Sequence, residues 1–471
     1  MTETSDLSSA VQYVYLLSAA LFVLSLKWMG QVKTARRGNW AGTAAMALAV
    51  IGTLIGGGIS SQGFMWIAIA IFVGTAVGLP MAIVMPMTAV PQRTALSHAF
   101  GGLAAALVGV AEYIEGRDAG TLSHFTSGAL AAEMLLGFLT FTGSLFAFGK
   151  LQELITTKAV VYPGRNIVSV GTLITAVLSA VYLGFDPGAI GAFYVLIAAS
   201  LAFGVFLIIP IGGADMPTVI AILNAYAGLS ASAMGFVMNN KLLIIAGALD
   251  GTSGLILSIL MCKAMNRSFV NVLFGGVGAT PTGGGGNAAP NGKVITGYSI
   301  EDAKAVLEDT RLVIVVPGYG MAVAQAQHAV KELANVLAAQ GTDVKFAIHP
   351  VAGRMPGHMN VLLSEADVPY DQLWEMERVN SSFPEADVAI VVGANDVTNP
   401  AARTNKQSPL YGMPILDVDK ARTVIFIKRS MNPGFAGVDN ELFYLDKTML
   451  VFGDAKKVMT ELVAASKEGA H

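Results

Sequence analysis

The sequence contains little charge and almost no cysteine. Only 13% of its 471 residues are Asp, Glu, Lys or Arg, about half of the roughly 25% that is usual in soluble domains. The single cysteine, Cys262, excludes a disulfide framework and a cysteine-rich metal site. A formal net charge of -3 provides no basic surface for nucleic acid. The composition is therefore not that of an ordinary soluble globule.

The few charges are unevenly distributed. The first 267 residues contain 22 charged side chains and the last 204 contain 39. This division predicts a transmembrane domain over residues 1–267 and a soluble domain over residues 293–471. Between them, residues 268–292 form a Gly/Pro-rich stretch that is typical of a flexible linker.

Nine apolar segments are long enough to cross a bilayer, which requires about 20 residues each. The predicted spans are Val11 to Met29, Ala41 to Gly58, Phe64 to Met87, Gln92 to Ala111, Thr126 to Phe148, Asn166 to Tyr182, Ala189 to Ile209, Met216 to Met238 and Leu242 to Met265. Pro80 and Pro86 predict a kinked third span.

Lys and Arg in the connecting loops indicate the orientation. With the N-terminus outside, ten of them fall on the inner side, and only Arg117 and Lys241 fall on the outer side. The acidic leader lacks the cationic start of a signal peptide, so the first span is expected to be retained. No transit peptide is evident, which favours a bacterial inner (plasma) membrane with the soluble domain in the cytoplasm.

Polar side chains inside the spans are candidates for a proton path, because each is costly in a bilayer unless it is paired or hydrated. His98, Asn224 and Ser144 fall in the inner half, and Glu133 and Asp250 fall in the outer half. We therefore expect an outer entrance and an inner gate, with His98 as the group that takes and releases protons near neutral pH. The alternative is that these side chains form hydrogen bonds between helices or line a water-filled vestibule.

Short β-branched runs alternate with helical patterns after residue 293, which predicts a Rossmann-like, doubly wound parallel sheet. The predicted strands are Arg311 to Val316, Val344 to His349, Val388 to Gly393, Pro414 to Val418, Thr423 to Ile427 and Met449 to Gly453. The predicted helices are Met321 to Gln340, Asp371 to Arg378 and Asp454 to Lys467.

The first of these strands leads into a Gly-rich turn. Gly318, Gly320 and Val323 occupy a GxGxxG frame, in which glycines allow a close backbone approach to a pyrophosphate. Because the third position is Val, the pattern alone is weak, and a simple tight turn is the alternative.

Cationic side chains favour NADP over NAD. The acid that usually holds the NAD ribose is missing at the end of the second strand, where Arg354 is found instead. Lys428, Arg429 and Ser430 end a later strand and suit a phosphate monoester, with a solvated loop as the alternative. Asn395 and Asp396 lie in the sequence between Arg354 and Lys428. A Gly-rich loop from Asn432 to Asn440 could close over a ligand.

Longer strings resemble the β subunit of the proton-translocating NAD(P) transhydrogenase. They include SHAFGGLAAA, TFTGSLFAFGKL, IGGADMP, MCKAMNRSF, PGYGMAVAQAQ, HPVAGRMPGHMNVLL, GANDVTNPAA and KRSMNPGFAGV. The resemblance implies reversible hydride transfer between NAD(H) and NADP(H), coupled to proton movement, with no covalent catalyst. It also implies that this chain binds NADP(H), while an α subunit binds NAD(H) and adds membrane helices, in a dimer of such heteromers.

The resemblance further assigns roles to particular residues. It implies a proton path through His98, Asn224 and Ser144 and a coupling role for Asp215. The implied NADP contacts are Tyr319, Val323, Arg354, Asn395, Asp396, Lys428, Arg429 and Ser430. Two departures are Phe435, where some relatives have Tyr, and Asp250, which matches no acid of the family. A competing class is a nucleotide-sensing channel or transporter, but no TVGYG filter string or inverted repeat is found.

Overall fold

The computed structural model describes residues 2–56, 59–157, 159–160, 162–266, 268–269, 272, 297–434 and 436–468. The predicted linker over 268–292 lies almost entirely outside this part of the chain. The described residues form two compact units, one of residues 1–210 and 219–257 and the other of residues 211–218 and 258–471.

Within the described ranges, nine helices are long and apolar enough to cross a membrane, as predicted. They are α1 (Thr2–Met29), α2 (Ala35–Gly56), α3 (Ser61–Val84), α4 (Val90–Asp118), α5 (His124–Leu151), α6 (Arg165–Phe185), α7 (Ile190–Ile208), α8 (Met216–Val237) and α9 (Lys241–Ala264). Local sequence sets several of their ends: Ser60 and Ser123 accept hydrogen bonds at the starts of α3 and α5.

The predicted third span is too long at its C-terminal end. Pro80 lies inside α3, but the helix ends at Val84, and Met85 is extended. A residue before proline avoids the helical region, because the proline ring clashes with its backbone. Pro86 therefore ends this helix instead of kinking it.

Helices α4 and α5 meet at two glycines. A Cβ atom added to Gly102 would lie 2.9 Å from the Gly137 carbonyl oxygen, and one added to Gly137 would lie 2.7 Å from the Gly102 carbonyl oxygen. Helix backbones approach this closely only where side chains are absent, as is common in membrane helix pairs. The contact places His98 on α4 one turn before Gly102.

The second unit contains one six-stranded parallel sheet in the order β3-β2-β1-β4-β5-β6, as expected for a doubly wound fold. The strands are β1 (Leu312–Pro317), β2 (Asp343–Ile348), β3 (Leu373–Glu375), β4 (Val388–Val392), β5 (Thr423–Lys428) and β6 (Thr448–Phe452). The α-helices described after residue 297 are α10 (Ile300–Leu307), α11 (Tyr319–Val323), α12 (Gln327–Ala339), α13 (His358–Glu365), α14 (Met376–Val379), α15 (Ala401–Thr404) and α16 (Ala455–Glu468).

Two predictions for this unit were wrong. The run Pro414 to Val418 is not a strand: its backbone bonds instead to the Asn380 side chain and to the carbonyl of Val397. The segment Asp371 to Arg378 is not one helix, because Leu373–Glu375 pairs with β2 as the edge strand. The lysine and arginine side chains of Lys345 and Arg378 stack on the Trp374 ring there.

The predicted helix from Met321 to Gln340 is interrupted. Gln325 has a positive φ of 50°, and the chain restarts as α12 two residues later. Residues other than glycine rarely adopt this backbone conformation. The first turn after β1 is therefore a short helix of five residues.

His349, which follows β2, links two parts of this unit. Its Nε2 lies 2.8 Å from the Pro414 carbonyl oxygen, and its Nδ1 accepts the Val351 N–H. Nε2 must therefore carry the proton and donate it. Burial lowers the pKa of His349 to about 4, although the bond to Pro414 acts in the opposite direction.

The glycine contact gives a first prediction. Gly102→Ala is expected to destabilise the chain by about 1–3 kcal/mol, because the added methyl group overpacks the α4–α5 contact. Gly101→Ala is the matched control, since nothing lies within 4 Å of its added Cβ. The temperature at which the detergent-solubilised chain loses its size-exclusion peak measures both. Equal losses in the two variants would contradict the assigned contact.

His349 gives a second prediction. Its folded pKa lies below the unfolded value near 6.5, so the unfolded state binds the proton first as the pH falls. The contribution of His349 to stability is fully present above pH 6.5 and declines by about 3 kcal/mol as the pH falls to 4. Hydrogen exchange of β2 between pH 4 and 7, corrected for intrinsic exchange, measures the decline.

His349→Gln keeps a donor near the Pro414 carbonyl but does not titrate. The variant should show a shallower decline than the unmodified chain. His328→Gln, on the exposed face of α12, is the control and should leave the slope unchanged. An unaltered slope in His349→Gln would show that the decline has another source.

Candidate nucleotide site and membrane polar cluster

The carboxyl ends of four adjacent strands bring most of the predicted nucleotide residues to one edge of the sheet. Tyr319 follows β1, Arg354 follows β2, Asn395 follows β4, and Lys428 ends β5. The sheet reverses its strand order between β1 and β4. Open α/β sheets bind ligands at such a reversal, outside the carboxyl ends of the strands.

The glycines of the predicted GxGxxG frame bring two backbones together. A Cβ on Gly318 would lie 2.3 Å from the Gly393 carbonyl oxygen, and one on Gly320 would lie 2.7 Å from the Gly393 Cα. The N–H of Gly320 donates to the Gly393 carbonyl at 3.0 Å. These glycines therefore let the turn after β1 pack against the end of β4, and a contact with a nucleotide stays a prediction.

Tyr319 and Arg354 form a cation–aromatic pair at this edge. The guanidinium carbon of Arg354 lies 4.4 Å from the centre of the Tyr319 ring. Arg354 itself is buried, with 5% of its surface exposed. The pair places a cation and an aromatic face at the ends of neighbouring strands, which suits the charged and planar parts of a nucleotide.

His358 lies behind this pair. Its Nδ1 accepts the backbone N–H of Arg354 at 3.0 Å, and its ring centre lies 6.3 Å from that of Tyr319. Burial, followed by the nearby Arg354 charge, lowers the pKa of His358 to about 4. The imidazole is therefore neutral at pH 7, and its buried Nε2 has no partner among the described residues.

Lys428, Arg429 and Ser430 differ in their surroundings. Lys428 is partly buried, with its ammonium group 4.4 Å from the centre of the Phe443 ring, whereas Arg429 and Ser430 are exposed. Burial lowers the pKa of Lys428, and the charges of Asp439 and Asp396 oppose this effect. Phe443 was not among the predicted site residues, because an aromatic residue in a loop carries no specific sequence signal.

The loop after β5 folds back onto the end of β4. The Asp396 carboxylate accepts a hydrogen bond from the backbone N–H of Ala436 at 2.9 Å. A Cβ atom added to Gly434 would lie 2.4 Å from the same carboxylate. The Asn440 amide donates to the carbonyl oxygen of Asn395 at 2.9 Å. Asn395 and Asp396 therefore hold this loop in place. Phe435 lies outside the described residues, and Val323 is 47% exposed.

The first unit brings two predicted membrane residues together. The Asn224 amide nitrogen donates to the Asp250 carboxylate at 3.1 Å. The Nδ1 of His98 is buried without a hydrogen-bond partner among the described residues. This contact joins Asp250, which the sequence analysis assigned to the outer half, to Asn224, which it assigned to the inner half. The depth of each residue in the membrane stays a prediction.

Glu133 and Ser144 occupy separate positions on α5. Both residues are fully buried, and among the described residues neither the Glu133 carboxyl oxygens nor the Ser144 hydroxyl has a hydrogen-bond partner. The Glu133 carboxyl lies against Gly109 of α4. Thr140, also on α5, bonds to the Leu136 carbonyl of its own helix, so its hydroxyl does not link two helices.

Asp215 ends a short 3-10 turn (Gly213–Asp215) that leads directly into α8. A carboxylate at a helix N-terminus is stabilised by the partial positive charge of the free N–H groups there. The turn belongs to the second unit, while most of α8 belongs to the first.

Comparisons with known proteins agree with this architecture. A family described as NAD(P) transhydrogenase beta subunit matches residues 11–465. Two relatives from Rhodospirillum rubrum, both described as NAD(P) transhydrogenase subunit beta, are each 48% identical to this chain over 463 residues. The matches cover 97% of this chain and 99% of each relative. The resemblance is thus confirmed, and the chain belongs to the NAD(P) transhydrogenase beta subunit family.

Proposed function

We propose that this chain provides the NADP(H) site and most of the proton path of a proton-translocating NAD(P) transhydrogenase. Family membership supports the transhydrogenase activity and a partner α subunit. We prefer NADP to NAD because β5 ends in cationic side chains, where Lys428 and Arg429 precede the Ser430 hydroxyl. Two cations and a hydroxyl suit the 2′-phosphate that distinguishes NADP from NAD.

The described residues fit such a cofactor. Arg429 and Ser430 are exposed and can reach a phosphate, while Tyr319 offers a ring face beside the Arg354 guanidinium. When bound, NADP(H) supplies the nicotinamide carbon that gives or accepts a hydride. The protein's own side chains bind and orient the nucleotide and exclude water, and no covalent catalyst is required.

The loop held by Asn395 and Asp396 is placed to cover this edge. Ala436 and Asn440 of the loop bond to Asp396 and Asn395 near the sheet end. A ligand that competes for the Asp396 carboxylate or the Asn395 amide would therefore release or re-form the loop. In this account both residues contact NADP(H), together with Val323 and the turn of Gly318 and Gly320.

The proton path of this account uses His98, Asn224, Ser144, Glu133 and Asp250, and Asp215 connects it to nucleotide binding. Because an unperturbed imidazole takes up and releases a proton near neutral pH, we expect protonation of His98 and NADP(H) binding to be linked, so that each changes the affinity for the other. The proposed domain limits are residues 1–267 for the membrane domain, 268–292 for the linker and 293–471 for the NADP(H) domain.

The nine apolar helices make this a membrane protein. In our proposal the membrane is the bacterial inner membrane, the N-terminus lies outside, and the NADP(H) domain lies in the cytoplasm, as the loop charges indicate. The α subunit binds NAD(H), and the complex is a dimer of heteromers. Family membership disfavours the alternative of a nucleotide-sensing channel or transporter.

The choice of NADP is tested by titrating the detergent-solubilised chain with NADPH and NADH. The unmodified chain should prefer NADPH, and Lys428→Ala and Arg429→Ala should each weaken NADPH binding by about ten- to a hundredfold, because a charge-assisted phosphate contact is lost. NADH binding should change much less.

Lys304→Ala is the matched control, since Lys304 lies in α10 before β1 and pairs with Glu308. It should bind NADPH as the unmodified chain does. Equal affinity for NADH and NADPH, or equal losses for both nucleotides in the two site variants, would contradict the proposed phosphate site.

A further inference from the structure

Lys428, at the end of β5, has a positive charge that is unpaired among the described residues. Its side chain is partly buried, and within the described part of the chain its ammonium group forms neither a hydrogen bond nor an ion pair. The face of the Phe443 ring lies 4.4 Å from this group instead. An aromatic face attracts a cation without neutralising its charge. The ammonium group can therefore still bind an anion.

The Phe443 ring is held in place by its neighbours. It is buried, and Phe426 of β5 meets it edge to face, with the ring centres 4.9 Å apart and the ring planes at 88°. Aromatic pairs favour this arrangement. Asn440 precedes the turn that carries Phe443, and its amide donates to the Asn395 carbonyl oxygen at 2.9 Å. The ring is therefore fixed against both β5 and the end of β4.

The acids whose charges act on Lys428 are Asp439 and Asp396. The Asp439 carboxylate accepts the Tyr444 hydroxyl, and the Asp396 carboxylate accepts the Ala436 N–H at 2.9 Å. Both acids are thus engaged with other donors. A carboxylate in the place of the Phe443 ring would neutralise the ammonium group and repel a phosphate. The ring instead keeps the charge available.

We propose that Phe443 is a specificity-determining positioning residue, whose ring holds the Lys428 ammonium group where it binds the 2′-phosphate of NADP(H). The inference rests on the phosphate site proposed above and adds a residue that acts through Lys428. A lysine side chain is flexible and loses rotamer freedom when it binds a phosphate. A side chain that a ring already holds loses less of this freedom, so it binds more tightly.

The test titrates the detergent-solubilised chain with NADPH and NADH and compares the two affinities. Phe443→Leu keeps an apolar side chain but removes the ring face. It should lower the affinity for NADPH by about three- to tenfold, the loss expected for one partly desolvated cation–aromatic contact. Because NADH has no 2′-phosphate, its affinity should stay within about twofold. Phe443→Tyr keeps the ring and should preserve the ratio of the two affinities.

Phe383→Leu is the matched control. Phe383 is fully buried in the same apolar core as Phe443, but it precedes β4 and so lies before the amino end of that strand. Both variants remove a buried ring and should lower the unfolding temperature. Only Phe443→Leu should change the ratio of the two affinities. An equal change of the ratio in Phe383→Leu would show that selectivity follows stability and would overturn the inference.

A double variant tests whether Phe443 acts through Lys428. If it does, adding Phe443→Leu to Lys428→Ala should change the affinity for NADPH by less than about twofold. A further full loss in the double variant, an unaltered ratio in Phe443→Leu, or equal losses for both nucleotides would overturn the inference. If size exclusion shows that Phe443→Leu does not fold, Phe443→Met decides by the same criteria.

Failure of the proposed phosphate site gives a different result. In that case the unmodified chain would not prefer NADPH, or Lys428→Ala would bind NADPH as tightly as the unmodified chain does. The inference about Phe443 would then fall with the site. A preference for NADPH that Lys428→Ala weakens and Phe443→Leu leaves intact would overturn the inference alone.

Discussion

The hydrogen bond from Asn224 to Asp250 reflects the main physical constraint on the membrane unit. A polar side chain in a spanning helix costs several kcal/mol unless it is paired or hydrated. Asn224 meets this constraint by bonding to the Asp250 side chain of α9, and the glycines of α8 and α9 make the contact close enough. The same close packing at Gly102 and Gly137 places α4, and with it His98, against α5.

The soluble unit obeys a related constraint at the sheet edge. Contacts between Gly318, Gly320 and Gly393 bring the turn after β1 against the end of β4. Tyr319, Arg354 and the end of β5 lie at this edge, where we propose that the nucleotide binds. In both units, backbone contacts at glycines lie beside the candidate functional side chains.

The sequence predicted the nine spans and five of the six strands well, because long apolar runs and buried β-branched runs are strong local signals. It missed β3, which has only three residues, and it misread Pro414 to Val418, whose apolar residues are buried without pairing in the sheet. Asp250 shows a further limit. Its residue type was informative, but its contact with Asn224 depends on the offset between two helices, which no local pattern encodes.

Coupling between the units is the central claim of the account. Hydride exchange between two similar nicotinamide couples has little driving force. One proton crossing 100 mV supplies about 2.3 kcal/mol, which corresponds to about a fiftyfold shift in the NADPH/NADP ratio. By linkage, NADPH binding must then change the proton affinity of the path. The most direct measurement is the pH change on adding NADPH to the purified complex in weakly buffered solution, compared with His98→Asn. The account predicts a proton exchange that His98→Asn abolishes; an equal exchange in both proteins, or none in either, would contradict it.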